Sequence, residues 1–331
     1  MKGRNSMSMY DLCAIGDILV DFTPMDPSPA GNFVYECNAG GTVANLCAAA
    51  GKFGLRTLFI GKIGNDDLGK AVRRKVEESN VDMSGCSVDD EAFTTLTFVT
   101  LNNGERSFSF SRKNSADINL KPEDVPEDKA LNSRILHFSG MCLTDQPVRD
   151  TTLNLVKKAR EKGIFITLDV NYREKLWRNR DEAVEIFRDS IALVDLYKSS
   201  EEEILLLSGE TDLENAAKNI SALGPKFIIV SCGPKGAFYY YNGLSGRLNT
   251  YDTKPVDTTG AGDCFMAAVL YQIIKRGGIK DMTKDEIEGM IDFANAAGAL
   301  SITKRGGVAS MPTVEEVERC MRNIPILVAP W

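Results

Sequence analysis

Short apolar, β-branched runs alternate with helical patterns along most of the chain. The runs typical of buried strands are LCAIGDILVDF, TLFIGKIG, RILHFSG, IFITLDVN, LVDLYKSS and KFIIVSCG. Segments between them, such as VANLCAAAGKFG, LGKAVRRKVEESN and TTLNLVKKAREKG, place apolar residues three or four positions apart, which predicts helices. Strands that alternate with helices build right-handed βαβ units. The pattern therefore predicts an α/β fold whose parallel sheet is covered on both faces.

One segment departs from this alternation and predicts a β-hairpin. Residues 92–112 read AFTTLTFVTLNNGERSFSFSR, with alternating Thr, Phe and Val around Asn103-Gly104, a dipeptide typical of tight hairpin turns. The Pro-rich stretch near residues 20–37 has no helical pattern and is a source of further strands. We therefore predict a single domain over 1–331, with a small β-sheet lid contributed by about 18–38 and 92–113.

Composition and charge exclude several classes of protein. The chain of 331 residues has 39 Lys+Arg against 46 Asp+Glu, a net charge of -7, which argues against non-specific nucleic-acid binding. A single His excludes a His-rich metal site, and the eight Cys show no CxxC spacing, as expected of free thiols in a reducing compartment. No apolar run reaches the ~18 residues of a membrane span. We expect a cytoplasmic protein with neither nucleic acid nor membrane as a partner.

The segment Asp257–Phe265, DTTGAGDCF, carries the strongest chemical signal. Gly260, Ala261 and Gly262 precede an apolar helix, so backbone N–H groups and the helix dipole converge on a position suited to an anion. Asp263 falls in the first turn, where the dipole favours an ionised carboxylate by about 0.3–1 kcal/mol. A carboxylate beside an anion site suits phosphoryl transfer. The alternative is that Asp263 only caps its helix.

A second glycine-rich helix start reads NAGGTVAN over residues 38–45. Paired glycines allow a ligand to approach the backbone, and Asn45 lies one turn into the helix, where its amide can bind hydroxyl groups. Other nucleotide and nucleophile signatures are missing from the sequence: there is no GxxxxGK[ST], no GxGxxG after a strand and no GxSxG.

Together these two motifs resemble the PfkB/ribokinase-like carbohydrate kinases, and the resemblance runs from about Asp11 to Pro312. It implies a ribokinase-like, three-layer α/β/α fold with a mostly parallel central sheet and a small β-sheet lid. It also implies an ATP-dependent kinase that phosphorylates a primary sugar hydroxyl, with ATP, Mg²⁺ and K⁺ in the site. A catalytically silent sugar-binding regulator on the same fold is the alternative from another class, and the intact Asp263 argues against it.

The resemblance implies a role for each matching position. Asp263 would be the general base and the backbone of Gly260, Ala261 and Gly262 the anion hole. Asp257 and Thr259 would help to hold K⁺. Sugar hydroxyls would bind to Asp17, Asp21, Gly40, Gly41 and Asn45, and the nucleotide to Lys198, Glu203, Ser231, Gly233, Gly236 and Asn295. Glu203 would also organise Mg²⁺ indirectly, although Ser200 stands where the family usually has Asn.

Two further segments narrow the expected sugar. The run LDVNYR, followed by Leu176-Trp177, resembles the DxNxR…LW element of the fructokinase and 2-keto-3-deoxygluconate kinase branch, and implies that Asn171 and Arg173 bind substrate. The lid segment GERSFSFSR is similar to fructokinases and adds Phe110 and Arg112. Either Arg could pair with a carboxylate. Acid-binding relatives tend to have Tyr at the position of Phe110, however, which favours a neutral ketohexose such as D-fructose.

The alternatives for the substrate are 2-keto-3-deoxygluconate and the sugars or nucleosides of other PfkB-family kinases. A lid over the site would exclude water from the phosphoryl donor. The exposed strand edges of such a lid favour pairing with a second copy, so we expect a homodimer joined through the lids.

Overall fold

The computed structural model describes residues 9–102 and 105–330, which contain thirteen strands. The strands are, in chain order, β1 (Tyr10–Ile15), β2 (Leu19–Pro24), β3 (Tyr35–Gly40), β4 (Thr57–Gly64), β5 (Val81–Asp89), β6 (Thr95–Asn102), β7 (Glu105–Ser111), β8 (Ser133–Ser139), β9 (Phe165–Asp169), β10 (Leu196–Ser200), β11 (Phe227–Ser231), β12 (Ala237–Tyr241) and β13 (Leu244–Leu248).

The α-helices of the described residues alternate with the strands in the first two thirds of the chain and follow them in the last third. They are α1 (Thr42–Lys52), α2 (Asp67–Glu77), α3 (Glu127–Ala130), α4 (Val148–Glu161), α5 (Arg180–Ile191), α6 (Glu201–Ser208), α7 (Leu213–Leu223), α8 (Ala261–Arg276), α9 (Lys284–Ser301), α10 (Gly307–Ser310) and α11 (Val314–Asn323). None of the helices in the described ranges is long and apolar enough to cross a membrane.

Nine strands form the larger sheet, in the order β13-β12-β11-β10-β9-β8-β1-β4-β5. The seven strands from β11 to β5 run parallel, and β12 and β13 are added antiparallel at one edge. All eight residues of β4 are buried, as expected of a strand covered on both faces. One apolar core packs α1, α8 and α9 against the sheet and another packs α4, α5 and α7 against its other face. The predicted three-layer α/β/α fold is confirmed.

The smaller sheet has the order β3-β2-β6-β7. Strand β2 pairs antiparallel with β3 and parallel with β6, and β6 pairs antiparallel with β7. We call this sheet the lid. The hairpin predicted around Asn103-Gly104 is present as β6 and β7, while these two turn residues lie outside the described residues.

The run LCAIGDILVDF is one strand in the sequence pattern but two strands in the structure. It divides between β1 in the larger sheet and β2 in the lid. Gly16 lies at the division because a Cβ there would come 2.4 Å from Cγ2 of Val43. Asp17 follows, and its carboxylate accepts hydrogen bonds at 2.6 Å from the N–H and the hydroxyl of Thr42, at the start of α1. These bonds turn the chain out of the larger sheet.

All eight cysteines are free, and seven of them are buried. Cys37 on β3 is the exposed one. Burial raises the pKa of the Cys142 thiol to about 12, which is typical of inert core thiols. The buried cysteines therefore act as small apolar side chains of the core.

Candidate active site

All of the predicted sugar residues except Gly40 and Arg112 meet in a cavity of about 240 Å³ at the carboxyl ends of the parallel strands, below the lid. Of the predicted residues in it, the lid contributes Asp21 from β2 and Phe110 from β7, and the others come from the body. We call it the acidic cavity. Among the predicted residues it is lined by Asp17, Asp21, Gly41, Asn45, Phe110, Asn171, Arg173, Gly260, Ala261, Gly262 and Asp263.

The start of α8 forms one wall of the acidic cavity. Gly260 precedes the helix in the left-handed conformation, with φ 79°, which glycine adopts without strain. Gly262 lies against Lys198, since a Cβ on this glycine would come 2.8 Å from Nζ. The N–H of Ala261 donates a hydrogen bond of 3.3 Å to the carbonyl of Thr258, which closes the turn before the helix. The first N–H groups of a helix have no intrahelical acceptor, so this turn presents donors to an anion.

The carboxylate of Asp263 is buried in the first turn of α8. Its Oδ2 accepts a hydrogen bond of 2.9 Å from Nδ2 of Asn45. Burial, and then the nearby Asp169, raise the pKa of Asp263 to about 7, against the opposing effects of Asn45 and Lys198. The expectation that the helix start keeps this group ionised is therefore too simple, because burial and Asp169 raise its pKa. A carboxyl that titrates near neutral pH suits proton transfer.

Asp169 and Lys198 form a buried ion pair next to this turn, which the sequence did not predict. The Nζ of Lys198 donates to Oδ2 of Asp169 at 2.7 Å, and Oδ1 of Asp169 has no partner. Burial raises the pKa of Asp169 to about 6. Burial alone would lower the pKa of Lys198, but Asp169, Glu203 and Asp263 together raise it. Lys198 is therefore a permanent cation beside the helix start.

Asp21 is the second carboxyl in the cavity with a raised pKa. Burial, and then the charges of Asp17 and Asp257, raise the pKa of Asp21 to about 7, and Arg173 acts in the opposite sense. Gly40 lies behind this group rather than in the cavity wall, since a Cβ there would come 2.2 Å from Oδ2 of Asp21. Gly40 is therefore needed for the space that Asp21 occupies.

Glu203 lies at the start of α6, where its two oxygens already bind backbone groups. Oε2 accepts from the N–H of Ser200 and Oε1 from the N–H of Tyr172, both at 2.7 Å. The hydroxyl of Ser200 accepts from the N–H of Glu203, which completes a capping box. The described residues contain no group of three or more His, Cys, Asp or Glu side chains that could hold a metal. A divalent ion here would depend on phosphate oxygens and water, as Mg²⁺ commonly does.

A second cavity, of about 470 Å³, lies on the other side of the same turn. Its walls are largely apolar and include Phe265, Ile302 and Leu327, so we call it the apolar cavity. The predicted nucleotide residues that line it are Ser231, Gly233, Gly236 and Asn295. The Nδ2 of Asn295 donates to the carbonyls of Leu248 and Asn249. Thr258, Ala261 and Gly262 line both cavities, so the helix start separates them.

Asp257 is buried behind this turn and joins it to the loop before α10. Its Oδ1 accepts from the N–H of Thr259 at 2.8 Å and its Oδ2 from the N–H of Gly306 at 3.1 Å. The structure thus brings the two predicted K⁺ residues together.

Arg112 does not line either cavity. Its guanidinium is buried at the base of the lid and binds Asp117, Thr144 and the carbonyl of Met141. His137 lies inside β8, where burial and the charge of Lys198 lower the pKa of the ring to about 3. The imidazole is neutral at physiological pH and lines neither cavity.

Known proteins and a family model match nearly the whole chain. The family model described as pfkB family carbohydrate kinase matches residues 9–314. A probable fructokinase-5 from Arabidopsis thaliana is 32% identical over 316 residues, which are 94% of this chain and 97% of the relative.

Two solved structures are similar over nearly their whole length. A fructokinase from Xylella fastidiosa with bound ATP has a TM-score of 0.86 at 26% identity, and the match covers 95% of this chain and 98% of that one. A fructokinase from Vibrio cholerae O395 with fructose, ADP and calcium has a TM-score of 0.84 at 29% identity, covering 95% and 99%. The chain belongs to the pfkB family of carbohydrate kinases.

Proposed function

We propose that the protein is an ATP-dependent fructokinase, which transfers the γ-phosphoryl group of ATP to a primary hydroxyl of D-fructose. The observation that carries the proposal is the position of Asp263, a buried carboxyl with a raised pKa at the helix start that separates the two cavities. Fructose would occupy the acidic cavity and ATP the apolar cavity. The similarity to fructokinases supports this assignment.

The proposed reaction uses the groups of this turn. The sugar hydroxyl gives its proton to Asp263 as its oxygen bonds to the γ-phosphorus, and the bond from that phosphorus to the ADP oxygen breaks. The N–H groups at the start of α8 and the cation of Lys198 stabilise the charge on the transferring group. We propose that one kinase domain, with both sheets, carries out the transfer.

The charges of the acidic cavity favour a neutral sugar over a sugar acid. Asp17 and Asp21 both line it, and the charge of Arg173 already acts on Asp21. Hydroxyl groups can donate hydrogen bonds to these carboxylates, whereas a carboxylate substrate would be repelled. Phe108 and Phe110, whose rings stack 6.3 Å apart, line the lid side and cannot donate hydrogen bonds. 2-Keto-3-deoxygluconate is the second candidate, since Arg173 could pair with its carboxylate.

Mg²⁺ and K⁺ are the proposed ions of the site. Mg²⁺ would supply charge neutralisation for the phosphates, and Glu203 at the start of α6 would organise it indirectly. Asp257 and Thr259 are the proposed residues for K⁺, because Asp257 ties the glycine turn to the loop at Gly306.

We further propose a homodimer in the cytoplasm. The free, mostly buried cysteines suit a reducing compartment. In the lid, β3 and β7 are the edge strands, and Phe33 beside β3 is 91% exposed. Pairing of two lids would protect such edges and cover this apolar side chain.

The test of the function is a panel of acceptors in the presence of Mg²⁺, K⁺ and ATP. D-Fructose is expected to stimulate ADP release more than ribose, 2-keto-3-deoxygluconate, fructose 6-phosphate or adenosine. ADP release should be measured with a coupled assay and the sugar phosphate by mass spectrometry. A stronger response to the keto-acid would replace fructose as the substrate, and no response to any acceptor would contradict the kinase.

The pH dependence of kcat/KM for fructose should report the carboxyl groups of the acidic cavity. Asp263 must be deprotonated to accept a proton and its pKa is about 7, so kcat/KM should rise with pH and level off above that value. Asp21 also has a pKa of about 7, and its carboxylate form accepts hydrogen bonds from the sugar hydroxyls. Below pH 7 kcat/KM should therefore change more steeply than the about tenfold per pH unit that one group gives. Asp21→Asn should restore a slope of one. A flat profile between about pH 5.5 and 8 would refute the assignment.

A further inference from the structure

Each guanidinium nitrogen of Arg112 donates a hydrogen bond at the base of the lid. Its Nε donates to Oδ2 of Asp117 at 2.7 Å, Nη1 to the hydroxyl of Thr144 at 2.6 Å, and Nη2 to the carbonyl of Met141 at 2.9 Å. The side chains of Arg112 and Asp117 are only 3% and 2% exposed. A contact with substrate would require this guanidinium to leave three good acceptors, so its geometry argues against a role as a sugar ligand.

The carboxylate of Asp117 extends the network to the other strand of the lid hairpin. Its Oδ1 accepts from the hydroxyl of Thr95 at 2.5 Å and from that of Ser115 at 2.7 Å. Thr95 is the first residue of β6, and Arg112 directly follows β7. The network therefore joins both strands of the hairpin where they leave the body, and Arg112 joins them to Met141 and Thr144 of the body.

Both sides of this junction form walls of the acidic cavity. Phe108 and Phe110 line it from β7, four and two residues before Arg112, and Met141 lines it from the body. We propose that Arg112 is a positioning residue that fixes the lid hairpin against the turn at Met141, and thereby sets the width of the sugar pocket. This inference rests on the proposed function of that cavity.

The physical chemistry of buried ion pairs supports a positioning role over a purely stabilising one. Removing two charges from water costs about as much as their attraction returns, so such a pair adds little net stability. Its geometry is demanding, however, because the planar guanidinium satisfies separate acceptors in fixed directions. The network thus selects one arrangement of hairpin and body, with the apolar rings of β7 facing the sugar.

The test compares Thr144→Val and Arg112→Lys with the wild type. Thr144→Val removes one hydrogen bond to the body and leaves Arg112 in place. Arg112→Lys retains a cation but loses the guanidinium that makes these hydrogen bonds. Because hydrogen bonds to a charged group are strong and here hold one wall of the sugar pocket, the KM for fructose should rise about tenfold or more, while the KM for ATP changes less than about twofold. Arg56→Met, in an exposed ion pair with Asp11, is the matched control and should change neither KM.

The double variant Arg112→Met, Asp117→Leu separates positioning from folding. Removal of both charges leaves no unpaired buried ion, so the melting temperature should stay near that of the wild type. The KM for fructose should nevertheless remain high. A double variant with the KM of the wild type would overturn the proposal, and so would single variants in which the KM values for fructose and ATP rise together as the melting temperature falls.

A measurement without substrate keeps this inference separate from the proposed function. Amide hydrogen exchange in β6 and in residues 108–111 should speed up in Thr144→Val and Arg112→Lys, while exchange in β4 of the body is unchanged. This result would support the junction even if the acceptor panel identified another sugar. Unchanged exchange in the hairpin would overturn it. Weaker sugar binding with unchanged exchange would instead identify Arg112 as a direct ligand.

Discussion

Replacement of Asp263 by Asn is expected to lower kcat by two to four orders of magnitude, the usual contribution of a positioned general base. The amide can still accept a hydrogen bond from Asn45, which in the wild type donates to Oδ2 at 2.9 Å. It cannot take the proton of the sugar hydroxyl. The KM values for fructose and ATP should therefore change only a few fold. The measurement is steady-state ADP release at saturating concentrations of both substrates.

The same variant should be more stable than the wild type above neutral pH. Burial raises the pKa of Asp263 to about 7, above the ordinary value of 3.8 that applies to the unfolded chain, so the folded state loses stability as pH rises between these values. The melting temperature of Asp263→Asn should exceed that of the wild type at pH 8 and match it near pH 4. Asp67→Asn, in the exposed first turn of α2, is the control. It should change neither the activity nor the melting temperature at pH 8 and pH 4. An active Asp263→Asn enzyme would refute the mechanism.

Replacement of Lys198 by Met is the second large effect that we expect. Its Nζ lies beside Gly262 at the helix start and is buried with Asp169. Loss of a preorganised cation at developing negative charge costs about 10²–10³ in rate. The pKa of Asp263 should also rise, since the charge of Lys198 lowers it. The rising limb of the pH profile should therefore move to higher pH.

The control for this variant is Lys158→Met, because Lys158 is half exposed and pairs with Glu127 on the surface. It should keep the activity of the wild type. Lys198→Met leaves Asp169 buried without its partner, so the double variant Lys198→Met, Asp169→Leu tests whether lost folding explains the result. We expect the double variant to regain stability and remain inactive. Recovery of activity in the double variant would show that Lys198 serves only to neutralise Asp169.

The alternating pattern of strands and helices predicted the layered fold because each buried strand is a short apolar run of its own. The pattern failed where single residues within or between apolar runs turn the chain. Gly16 and Asp17 divide one apolar run between two sheets, and only the contacts that they make with the start of α1 show why. Strands β12 and β13 flank Asn242-Gly243, the same turn dipeptide that predicted the lid hairpin. That signal was present in the sequence and was missed.

For the candidate site, the motifs predicted which residues take part, but they did not predict the burial and the partners of those residues. The positions of Asp263, Asn45 and Gly262 around one cavity followed from the two glycine-rich motifs. The burial of Asp263 could not be predicted, because it depends on side chains from elements other than α8. Lys198 pairs with Asp169 from another strand, and Arg112 pairs with the nearby Asp117 but also binds Met141 and Thr144 of the body. These contacts depend on the fold, so the sequence alone could not distinguish a substrate ligand from a side chain held in an internal ion pair.

The pairing of β2 with β6 has a consequence for how the chain folds. These parallel strands are separated in sequence by residues 25–94, which include α1, β4, α2 and β5 of the body. Contacts between distant segments form late, because the loop between them must first be ordered. The lid should therefore assemble after the first βαβ units, and its strands should make little contribution to the transition state. Destabilising changes in β6 should then speed unfolding and leave the refolding rate nearly unchanged.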